Sequence, residues 1–88
     1  MWISDAQKSM TDAIKAQFDC LDSKSANYTA NVNELHGMLR IAQLSGLLNA
    51  DALRGLTGIT YSLTVDSRTI GTPAYREHVK QYTDQLLN

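Results

Sequence analysis

The sequence predicts an all-α protein, a small bundle of about four short helices forming a single domain over residues 1–88. Three observations predict it. Apolar residues recur at intervals of three and four along most of the chain, the period of a helix with one buried face. Residues that start and stop helices sit at the ends of those periodic stretches. Eighty-eight residues with a single proline leave room for one small core. The expected helices cover approximately 4–22, 25–45, 50–66 and 73–87.

The first helix is announced by Ser4, a capping residue with Gln7 at capping-box spacing, and by Asp5, which suits the positive end of the helix dipole. Ile3, Met10, Ile14, Phe18 and Leu21 fall on one stripe, flanked by Ala6, Ala13 and Cys20. Asp5-Ala6-x-Lys8 recurs as Asp12-Ala13-x-Lys15 and decays to Asp19-Cys20-x-Asp22, a period of seven. These charges read as a solvated face. Trp2, ahead of the helix, either folds over the bundle or anchors a contact.

Polar residues Asp22 to Ser25 separate the first helix from the second, with Ser23 or Ser25 as its cap. The inward face is Tyr28, Val32, Leu35, Met38, Leu39 and Ala42, and Gly37 inside it costs about 1 kcal/mol relative to alanine. From Ile41 onward the apolar residues leave the stripe: Ile41, Leu44, Leu47 and Leu48 point elsewhere. No charge lies between Arg40 and Asp51. Gly46 reads as the stop and Asn49 as the next cap, with Leu48 and Leu53 at hydrophobic-staple spacing. So short a turn makes the two helices neighbours.

The third segment reads two ways. As a helix, Leu53, Leu56, Ile59, Thr60 and Leu63 share a face. Residues 59–65 also alternate apolar and polar and are rich in β-branched and aromatic types, a strand signature. No other segment offers an equally clear partner strand, so helix is the favoured reading. A strand over 59–65, pairing across a dimer interface, stays open. In the last segment Gly71 breaks the chain, Thr72 caps and Pro73 takes the first helical position, where its missing N–H does no harm. Tyr75, Val79, Tyr82 and Leu86 form its stripe, and Lys80 and Asp84 are spaced as an ion pair.

Composition excludes several kinds of function. Eight Lys and Arg against nine Asp and Glu argue against binding to nucleic acid or anionic lipid by bulk electrostatics. One cysteine cannot make an intramolecular disulfide, which suits a reducing compartment, and the expected location is the cytoplasm. No run is long enough to span a bilayer, and the polar residues straight after Met1-Trp2-Ile3 argue against a signal peptide. Cys20, His36 and His78 lie in three segments without metal-ligand spacing, so no metal is expected. Cys20 reads as a small buried hydrophobe and His78 as half-exposed at a helix seam. Gly46, Gly55, Gly58 and Gly71 fit no phosphate-binding loop. No cofactor and no catalytic residue is expected; the chain does not read as an enzyme.

One stretch resembles a known motif. Ile41-Ala42-Gln43-Leu44-Ser45-Gly46-Leu47 is similar to the first helix and turn of helix-turn-helix DNA-binding proteins, with Ala42 four residues before the turn glycine Gly46 and Leu47 after it. The resemblance implies a small DNA-binding regulator whose recognition helix runs from Ala50 to about Leu63. The sequence departs from the motif at Leu48, where a Ser or Thr cap is usual. Arg54 is the only cation of that helix, and Asp51 would face phosphates.

The leading expectation is instead a protein-binding module: an adaptor, inhibitor or regulator that occupies a partner protein and forms a homodimer. It rests on an apolar surplus that a monomer does not easily bury, the other reading being that a four-helix arrangement of this size wraps it internally. Ile41, Leu44, Leu47, Leu48, Tyr61 and Val65 are the expected partner-binding residues. Nothing in the sequence names the partner; nucleic acid is the weaker alternative, and no membrane is expected.

Overall fold

A computed structural model of the chain describes residues 3–88, so the expectation for Trp2 lies outside the described residues. Four α-helices follow one another: α1 (Asp5–Asp19), α2 (Tyr28–Ser45), α3 (Ala50–Val65) and α4 (Pro73–Asp84), with a 3-10 helix over Ser67–Gly71 between the last two. They run up, down, up and down. The central α3 packs on α2 and α4, and α1 closes against the same two helices.

The capping box forms as read. Ser4 N–H donates to Gln7 Oε1 at 2.9 Å, and Gln7 N–H donates to Ser4 Oγ at 3.2 Å. The Gln7 amide also donates to the Leu47 carbonyl at 2.8 Å, which holds the start of α1 against the α2–α3 turn. Thr11, Ile14 and Phe18 are buried along α1, whereas Ile3 precedes the cap and is 44% exposed. It is not part of the inward stripe. Cys20 is a second correction. It caps the helix C-terminus in an exposed position, and its thiol donates to the Gln17 carbonyl at 3.1 Å.

Helix α2 begins at Tyr28, three residues later than expected. The intervening polar residues satisfy one another in turns: Asp22 Oδ1 accepts from Lys24 N–H, and Ser25 Oγ accepts from Asn27 N–H. Ser25 is therefore occupied and does not cap the helix. Val32, Leu35, Leu39 and Ala42 face the core. Gly46 ends α2 with φ of 69°, the left-handed conformation that costs glycine nothing.

Residues 59–65 are helical. Inward burial of Leu53, Leu56, Thr60 and Leu63 requires the helical period, and it overrides the strand-like composition. The hydroxyls adapt to it: Thr57, Thr60, Ser62 and Thr64 each donate to the carbonyl four residues back, Thr60 at 2.8 Å. This satisfies the one fully buried hydroxyl on the core face of α3. Asp66 then accepts from the backbone and guanidinium of Arg68, and those bonds hold its carboxyl below the usual range.

Thr72 caps α4 by accepting from Tyr75 N–H at 3.2 Å. The helix ends at Asp84, before the expected residue 87. Leu86 nevertheless reaches full burial, because its carbonyl accepts from Asn49 N–H at 2.9 Å and pins the chain's last residues to the start of α3.

Candidate interaction surface

The up-and-down order places the start of α1, the α2–α3 turn and the residues after α4 at one end of the bundle. The 22–27 turns, the end of α3 and the 3-10 helix lie at the other. This distributes the residues singled out from sequence. Ile41 and Leu44 are 64% and 80% exposed on the outer side of α2 near the first end, and Leu47 is partly exposed in the turn. Tyr61 and Val65, the latter 86% exposed, lie one turn apart near the far end of α3. They form two patches rather than one surface.

Leu48 belongs to neither. It is only 8% exposed and joins the core cluster that contains Leu53. A residue just before a helix cap, four positions from an inward leucine, is drawn over the helix end, and burial is the outcome of that staple. Conversely, spacing places Ile3 on the inward stripe, yet it is exposed at the end of the bundle where Gln7 meets Leu47. Its position before Ser4, outside the first helical turn, is the signal that it need not follow the inward stripe.

Between the patches, a groove of about 410 Å3 separates α2 from α3. His36, Arg40, Gln43, Thr57 and Tyr61 line it. His36 and Tyr61 stand edge to face with centroids 5.0 Å apart, and His36 Nε2 is 3.2 Å from Thr64 Oγ1. A second groove of about 480 Å3 lies between α1 and α4, with Phe18, Tyr75 and Val79 on its walls and Lys15, Arg76 and Lys80 among its charged residues. Burial pushes the Tyr75 hydroxyl up to about 12, with Tyr28 and Asp19 adding to the effect.

The groups capable of chemistry stay apart. Cys20 meets the Gln17 carbonyl, His36 meets Thr64, and the exposed His78 sits 6.5 Å from the Tyr82 ring. Among the described residues, no three His, Cys, Asp or Glu side chains are placed to hold a metal ion. No described helix is long and apolar enough to cross a membrane. On α3, Arg54 lies 3.7 Å from Asp51, so its one cation sits beside a carboxylate at the helix end that a recognition helix would present to DNA.

No protein-family model, no curated protein and no solved structure matches the chain significantly.

Proposed function

We propose that the chain is a non-enzymatic protein-binding module, an adaptor, inhibitor or regulator that works by occupying a partner, and that it pairs with a second copy of itself. The observation that carries this reading is the exposed aliphatic patch of Ile41, Leu44 and Leu47, with Ile3 at the same end. Exposed aliphatic side chains clustered on so small a protein favour burial against another surface. A second copy suits the patch for an electrostatic reason. Residues 41–50 carry no charge, so two such patches meet across a two-fold axis without burying like charges. A patch this small supports a weak dimer, because association costs several kcal/mol before any net affinity appears. The exposed, unpaired Cys20 supports placing the chain in a reducing compartment such as the cytoplasm.

Light scattering on the eluting protein, run with reductant, tests the proposal. Leu44→Glu is expected to abolish association while leaving the helical circular-dichroism signal unchanged. Unchanged association of that variant would overturn the reading.

A further inference from the structure

The α2–α3 groove has an unusual balance of donors and acceptors. The Thr57 hydroxyl donates to the Leu53 carbonyl at 2.8 Å, and the Thr64 hydroxyl donates to the Thr60 carbonyl at 3.1 Å. Thr64 Oγ1 also lies 3.2 Å from His36 Nε2, so the imidazole is occupied on that side. The Arg40 guanidinium and the Gln43 amide remain without a hydrogen-bond partner among the described residues. No carboxylate lines the groove. Of the acids on these two helices and the following segment, Glu34 does not line the groove, Asp51 lies beside Arg54, and Asp66 is held by Arg68. Arg40 thus stands in a concave site, beside the aromatic wall of Tyr61 and His36, with exposed apolar patches beyond both ends of the groove.

We propose that this groove receives a glutamate or aspartate side chain from a segment of a partner protein. Arg40 grips the carboxylate through its paired N–H donors, Gln43 adds an amide donor, and Tyr61 covers the adjacent methylene groups. Apolar residues flanking that acid on the partner segment cover Tyr61 and Val65, which leaves Ile41 and Leu44 to the second copy. The self-association patch of a second copy cannot fill this role, because residues 41–50 contain no carboxylate. The proposal rests on the reading of the chain as a protein-binding module and does not depend on its pairing with itself.

The test is a nuclear magnetic resonance titration that follows the Arg40 Nε–H, the Gln43 side-chain amide and the Tyr61 ring. Propionate serves as the side-chain analogue, with propionamide and matched sodium chloride as controls. A short capped helical peptide carrying glutamates between leucines is the segment probe, with glutamine in place of glutamate as its control. The expected result is saturable shifts with propionate, lost in Arg40→Gln and kept in Lys15→Gln. The glutamate peptide is expected to bind at least about tenfold more tightly than propionate, since it also buries apolar side chains. Shifts that stay linear, equal those with propionamide or persist in Arg40→Gln overturn the site. A peptide that binds no better than propionate, or as well with glutamine, overturns the partner segment. Sedimentation of the same samples separates this from dimerisation. Arg40→Gln is expected to remain a dimer, and Leu44→Glu to keep its response to propionate.

Discussion

The ring of Tyr82 lies so close over Gly55 that a methyl group there would fall 2.6 Å from its Cε1 and Cζ atoms. The missing side chain lets α4 approach the centre of α3. Gly55→Ala gains about 1 kcal/mol of helix propensity. It also forces a half-buried ring out of its packed position, at about 1–3 kcal/mol. The crowding is expected to win, and urea unfolding should show a net loss of stability. In a Tyr82→Ala background the same substitution should become stabilising, because only the propensity gain remains. A stabilised Gly55→Ala in the otherwise unaltered chain would mean that α4 does not sit this tightly on α3.

Asn49 joins three parts of the chain. Its Oδ1 accepts from the Asp51 and Ala52 N–H groups, its own N–H donates to the Leu86 carbonyl, and its Nδ2 reaches the Asn88 carbonyl at 3.4 Å. Asn49→Ala removes the cap and should cost about 1 kcal/mol. Asn49→Asp keeps the acceptor and places a charge at the favourable end of α3, so its melting temperature should stay near that of the parent. Equal losses in both variants would show that the Nδ2 contact matters more than the cap.

Leu44 and Leu48 are four residues apart and differ in surroundings. Leu48→Glu puts a carboxylate into an apolar cluster and should unfold the protein or cost several kcal/mol. Leu44→Glu changes a side chain that is 80% exposed and should shift monomer stability by no more than about 0.5 kcal/mol. Chemical denaturation at low protein concentration measures both. Similar losses would place Leu44 in the core as well.

Tyr75 gives a pH signature. Burial holds its hydroxyl protonated up to about 12, above the ordinary value of 10.0. Between those values the unfolded chain loses a proton that the folded chain retains, so stability is full below about 10 and falls as pH rises towards 12. Tyr75→Phe should flatten that part of the decline. Tyrosinate absorbance should show an ionisation near 12 that disappears in Tyr75→Phe. Its absence from the parent protein would contradict the burial of Tyr75.

Much of this architecture was legible in the sequence because its signals are local. Ser4 with Gln7, Gly46, Asn49, and Thr72 with Pro73 mark boundaries through bonds that span a few residues, and all of them act as read. Residues 59–65 were ambiguous because β-branched hydroxyl residues suit a strand locally. Only tertiary burial of Leu56, Thr60 and Leu63 selects the helix. The apolar surplus was also legible, though not its arrangement. Spacing alone could not separate exposed Leu44 from buried Leu48, because the staple turns the chain at that point. The α2–α3 groove was not legible at all: Tyr61 meets His36 across two helices, and that register depends on how the helices pack.

Self-association through the proposed Ile41, Leu44 and Leu47 surface is read out by sedimentation equilibrium of the reduced protein over a wide concentration range. The chain has a mass of 9.7 kDa. The expected result is a concentration-dependent rise towards twice that mass, and a Leu44→Glu variant that stays at the single-chain mass throughout. A parent protein that remains a single chain even at millimolar concentration would contradict it.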